Sequence, residues 1–199
     1  MIAYKRIAVL ALGTLLLPVV ALAHSETDGS GFVSGFLHPI FGYDHLLAML
    51  SVGIVSAQLG GRAIWTVPAV FVLSMIAGGV IGVLQIPLPF VEHGVALSVI
   101  VLGIGIIFAQ KQRNVMLIML FVSFFGMLHG HAHGVEMPKS ASPVYYSFGF
   151  VTSTSLIHLL GVFVGYTLTS KLMWQKVLAY MGGAVSLIGC FLFLNLIRV

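Results

Sequence analysis

The chain has 199 residues, of which 59% are hydrophobic and only 7% charged, with a mean hydropathy of +1.12. Soluble domains carry about 25% charged residues, and five acids plus nine bases cannot clothe a globule of this length. The composition excludes a soluble enzyme, a nucleic-acid binder and a disordered chain. The net charge of +4 is spread one or two bases per loop, which reports membrane orientation rather than an anionic partner. Cys190 is the single cysteine, so an internal disulfide and a thiolate metal cluster are excluded. Against this apolar background eight histidines stand out.

Residues 1–23 read as a cleavable export signal. Lys5 and Arg6 form the basic n-region, and Ile7 to Leu17 the apolar h-region. Pro18 breaks the run, and Ala21-Leu22-Ala23 matches the small-residue cleavage rule. An uncleaved first membrane helix is the alternative. Cleavage leaves residues 24–31 as a short periplasmic segment and residues 32–199 as the membrane domain. His24, Glu26 and Asp28 in that segment suit either metal capture or an ordinary solvated tail.

The remainder divides into six apolar stretches, residues 32–59, 64–84, 91–109, 115–133, 145–169 and 177–197. Each is near or above the roughly 20 residues that cross a hydrocarbon core, and only helices satisfy their own backbone there. The expected fold is all-α, a polytopic helical membrane protein with six transmembrane helices after signal removal. With the mature N-terminus outside, Arg62, Lys111, Arg113, Lys171 and Lys176 fall inside, and Lys139 and Arg198 outside. That distribution obeys the positive-inside rule. It implies a multi-pass protein of the bacterial inner membrane with both mature termini periplasmic. Gly126, Gly130 and Gly134 recur every four residues, and Gly78/Gly82 and Gly161/Gly165 repeat the spacing. Such stripes predict close helix–helix approach.

The first stretch carries His38-Pro39-Ile40-Phe41-Gly42-Tyr43-Asp44-His45. Burying a carboxylate or an imidazole in a membrane is costly, so these residues need a partner or a purpose. His38 and His45 are about 700° apart on a helix, which returns them to one face. Pro39 and Gly42 predict a kink near the start. Two imidazoles and a carboxylate there suit a divalent cation, or alternatively a structural Asp–His pair. The fourth stretch ends in His129, His131, His133 and Glu136. His129, His133 and Glu136 share a face if the helix continues, while His131 points away and is read as a bystander. An adventitious His-rich surface loop is the alternative. His158 follows Thr152, Ser153, Thr154 and Ser155 and suits either a metal or a hydroxyl one turn away. Glu92 and His93 open the third stretch. His93 is explained by snorkelling to the headgroups; Glu92 is harder to explain away.

Depth joins these residues. His129 lies roughly 22 Å along its helix from Asn114, toward the outside. His38, Asp44, His45, His133, Glu136 and Glu92 all fall in the outer half, with His158 near the middle. Scattered structural histidines have no reason to segregate so. Imidazoles with carboxylates and no thiolate suit nickel, cobalt or zinc.

These residues carry a family likeness. His38-Pro39-x-x-Gly42-x-Asp44-His45-Leu46-Leu47-Ala48-Met49 resembles the signature of the HupE/UreJ family of nickel/cobalt permeases. His129-Gly130-x-Ala132-His133-Gly134-x-Glu136 resembles its second His-rich segment, and the Glu92–Gly103 and His158–Gly161 regions are similar too. The first motif is also similar to the His/Asp-His helix of larger nickel/cobalt transporters. The resemblance covers the whole mature chain. It implies import of Ni2+, or Co2+, as substrate with no prosthetic group, and Zn2+ as a surrogate. The implied metal residues are His38, Asp44, His45, His129, His133, Glu136 and His158. Cytoplasmic metallochaperones of hydrogenase or urease are the implied partners beside the bilayer. Two rival readings use the same groups: an intramembrane zinc hydrolase with Glu92 or Glu136 as base, and a haem-binding electron carrier. The chain has neither an H-E-x-x-H nor a C-x-x-C-H motif, which disfavours both.

Overall fold

The computed structural model describes residues 30–109, 114–170 and 172–198. The export signal, His24, Glu26, Asp28 and the loop bases Lys111, Arg113 and Lys171 lie outside the described residues. Every regular element among the described residues is helical: α1 (Ser30–Phe41), α2 (Tyr43–Leu59), α3 (Ala63–Val83), α4 (Val91–Phe108), α5 (Val115–Glu136), α6 (Pro143–Thr169) and α7 (Leu172–Ile197). The five helices from α3 to α7 are long and apolar enough to cross a membrane. A sixth span exists if α1 and α2 count as one, although they diverge by 80°.

The expected first span is thus broken, and the break is not at Pro39. The helix runs through Pro39 to Phe41, and Gly42 alone is non-helical, with an extended backbone at φ −81° and ψ 102°. Any residue adopts that conformation, so Gly42 is needed for space. A Cβ there would sit 2.8 Å from Cδ2 of His45 and 3.4 Å from Oδ1 of Asp44.

Two helix starts are chemically marked. The Asn114 side chain accepts from the Leu117 N–H at 3.1 Å and caps α5, and Pro143 opens α6, where its missing N–H costs nothing. Hydroxyls facing outward in α6 donate to carbonyls one turn back, Thr152 to Phe148 and Thr167 to Phe163. The outer surface is apolar, with Leu73, Leu120, Phe163, Leu187 and Phe191 exposed as a hydrocarbon environment permits. The central core joins Met49 and Val52 of α2, Phe71 and Met75 of α3, Val99 of α4, Val122 of α5 and Ile157 of α6.

Glycines bring the helices together in three tightly apposed sets. Added Cβ atoms at Gly78 and Gly82 of α3 would strike the Met127 and His131 carbonyls of α5, and those at Gly126, Gly130 and Gly134 would strike α3 backbone. The stripe expected from the sequence is therefore a backbone-to-backbone interface. Gly53 and Gly161 join α2 to α6, while Gly35 and Gly149 join α1 to the same helix. Gly103, Gly182 and Gly189 join α4 to α7.

Candidate metal centre

Helix α5 continues without interruption through Gly130 and Gly134 to Glu136. His129, His133 and Glu136 therefore share one face, as the spacing requires. The glycine stripe lies about 100° round the same helix, so α5 turns one flank to α3 and the next to the histidines.

Glu136 marks the open end of the cluster. Its side chain is 44% exposed, and Oε2 lies 3.0 Å from Nε2 of His38 and 3.9 Å from Nδ1 of His133. Ligand atoms of His38, His133 and Glu136 all lie within 4.8 Å of one another. Tetrahedral ligands at about 2.1 Å from an ion stand roughly 3.4 Å apart, so a modest inward shift of these side chains lets the three share a cation. His38 comes from α1 and the other two from α5, so the group exists only in the folded bundle.

The imidazoles continue inward. The His133 ring lies edge-on to His38 at 4.7 Å between centroids and 3.9 Å from the His45 ring. His45 reaches His129 through Nδ1 to Nδ1 at 2.7 Å, and Nε2 of His129 meets Ser98 Oγ at 2.8 Å. His129 is fully buried. Phe71 follows, with ring centroids 5.6 Å from His129 and 5.2 Å from His158. Both ring nitrogens of His158 and both of His133 are buried without a protein hydrogen-bond partner. Such groups are costly unless something else binds them.

His38 and His45 lie on opposite sides of the Gly42 break, so they do not share a helix face as the sequence spacing suggested. They meet because both approach His133. Asp44 sits in the first turn of α2, where Oδ1 accepts the His45 backbone N–H at 2.8 Å and lies 3.9 Å from His45 Nε2. A carboxylate in that position also faces the positive end of the helix dipole. Glu92 joins none of these contacts. His93 packs edge-on between Phe90 and Phe193, which explains it without a metal. His131 donates from Nε2 to the Ile86 carbonyl at 2.8 Å, away from the cluster.

Two residues with contacts to the file carry little signal in the sequence. Ser98 is a lone hydroxyl in an apolar helix. Phe71 sits in the run Val67-Pro68-Ala69-Val70-Phe71-Val72 and is indistinguishable there from core packing.

The structure defines a multi-pass helical membrane protein with an imidazole–carboxylate file entering from one end of the bundle. The chain matches the family described as HupE / UreJ protein over residues 11–192. It is 39% identical to Protein HupE of Rhizobium leguminosarum bv. viciae over 181 residues, covering 91% of this chain and 94% of that one. No solved structure matches it. The chain belongs to the HupE/UreJ family, a family related to nickel and cobalt transport.

Proposed function

We propose that the protein is an inner-membrane permease that imports a divalent transition metal ion, with Ni2+ the preferred substrate and Co2+ the nearest competitor. The observation that carries this reading is the graded file of ligands. It runs from half-exposed Glu136 and His38 through His133, His45 and His129 toward His158. An aquo-ion trades water for a carboxylate and two imidazoles at the open end, where the carboxylate offsets its charge. Deeper rings then offer neutral nitrogen ligands, which bind borderline metals and release them more readily than thiolates would. Asp44 supplies the second carboxylate beside His45. The Phe71 ring packs against both His129 and His158 and so borders transit between them. His24 and Glu92 have auxiliary roles in this reading, in capture outside and in the field at the outer edge.

Orientation follows from the loop bases: the end bearing Glu136 and Lys139 faces the periplasm, and both mature termini lie there. Hydrogenase or urease metallochaperones receive the ion on the other side.

The deciding experiment is metal entry into liposomes holding the purified protein, with Ni2+, Co2+ and Zn2+ compared in wild type, Asp44→Ala and His45→Ala. Wild type is expected to carry Ni2+ without other proteins, and each variant to lose at least tenfold in rate. Unchanged Ni2+ entry in both variants would remove the proposed centre. Turnover of a substrate without metal flux would instead favour the hydrolase.

A further inference from the structure

Ser98 has one proton and two neighbours. Its Oγ lies 2.6 Å from the Val95 carbonyl oxygen and 2.8 Å from Nε2 of His129. A carbonyl only accepts, so the serine proton is committed to Val95 and Oγ accepts from His129. Nε2 of His129 therefore carries hydrogen. A fully buried ring whose polar partners are a hydroxyl and another imidazole is neutral, so its Nδ1 is bare. That bare Nδ1 faces Nδ1 of His45 at 2.7 Å. One of the two must donate, and only His45 can. In a neutral His45 ring the nitrogen left without hydrogen is Nε2, the one beside Asp44.

We propose that Ser98 is a positioning residue: by holding His129 in its Nε2–H form, it makes His45 present an unprotonated Nε2 to the incoming ion. Histidine ligands commonly donate their second ring N–H to an outer partner that fixes orientation and tautomer. While the ion is held at His45 the outer partner is His129, which becomes a ligand only once the ion moves deeper, and its own state is set one step further out by a serine anchored to the α4 backbone. Without the hydroxyl, Nε2 of His129 has no acceptor. The ring is then free to take the other tautomer, with Nδ1–H aimed at His45, which would shift the His45 proton to Nε2 and block it. The functional part of this inference rests on the transport reading; the tautomer assignment does not.

The test compares wild type with Ser98→Ala and Ser98→Thr in lipid nanodiscs, by imidazole nitrogen NMR of histidine-labelled, metal-free protein and by Ni2+ titration. His129 resonances are assigned by their loss in His129→Gln. Wild type and Ser98→Thr are expected to show His129 as the Nε2–H form, and Ser98→Ala to show the Nδ1–H form or a mixture. Ni2+ affinity is expected to fall about 10- to 100-fold in Ser98→Ala, the usual range for loss of an outer partner, with Ser98→Thr within about threefold of wild type. An unchanged His129 tautomer in Ser98→Ala overturns the inference even if that variant binds poorly, since poor binding would then reflect packing. Unchanged Ni2+ affinity in Ser98→Ala also overturns it. Wild-type protein that binds no Ni2+ while Ser98→Ala still switches tautomer would sink the transport reading and leave the tautomer assignment standing.

Discussion

At the scale of single residues, the cluster separates groups that face the opening from groups that merely share the motif. Glu136 is the carboxylate common to His38 and His133. Glu136→Gln keeps its shape and removes its charge, so Ni2+ affinity should fall by at least tenfold in calorimetric titration, while folding is preserved. His131 makes the opposite case. It lies two residues from His129 and from His133, yet its bond goes to Ile86. His131→Phe should cost about 1 kcal/mol of stability through the lost hydrogen bond and leave Ni2+ uptake per folded molecule within twofold of wild type. A tenfold loss of uptake would place His131 on the path.

At the scale of elements, the sequence announced the spans and the kink at the start of the first one, but not how far it bends. Hydropathy registers long apolar runs, so α3 to α7 were legible within a few residues. Pro39 and Gly42 announce a kink near the start of the first stretch, and the break falls at Gly42; its 80° size is not legible, because Phe41-Gly42-Tyr43 is as apolar as its surroundings. His38 and His45 therefore lie on two helix axes, and their spacing on a single helical wheel does not apply. The pairing of His129 with His133 was legible because α5 is unbroken. Ser98 and Phe71 were not, because their partners come from other helices. The glycine spacing was legible as contact but not as to partner. Gly78→Ala drives a Cβ into the Met127 carbonyl and should cost about 1–3 kcal/mol, the usual range for overpacking. Gly183→Ala meets nothing within 4 Å inside α7 and should be neutral or stabilising by about 0.5–1 kcal/mol. Thermal unfolding in detergent compares the two. Gly42→Ala has a local consequence instead, crowding the His45 ring, so Ni2+ uptake should fall several-fold at nearly unchanged melting temperature.

At the scale of the whole molecule, acidity and sidedness become testable. Protons compete with metal for imidazole nitrogens. Ni2+ entry at fixed driving force should therefore decline as the outer pH falls, and a flat profile into the acid range would speak against imidazole capture. Sidedness can be read with an impermeant maleimide after replacing Cys190. A cysteine at Ser140 should label from the periplasm, and one at Gly61 only after permeabilisation.

The glycine-apposed sets have a mechanical consequence. His38, Asp44, His45 and His158 ride on α1, α2 and α6, whereas His129, His133 and Glu136 ride on α5, locked to α3. An ion gripped by both is a rivet through the seam between two stiff slabs, and it moves inward only when the slabs part. Saturating Ni2+ should then raise the unfolding temperature, in line with about 2.7 kcal/mol at a hundredfold excess over Kd. Clamping the slabs with a crosslink should trap the ion in transit and leave the protein loaded but idle.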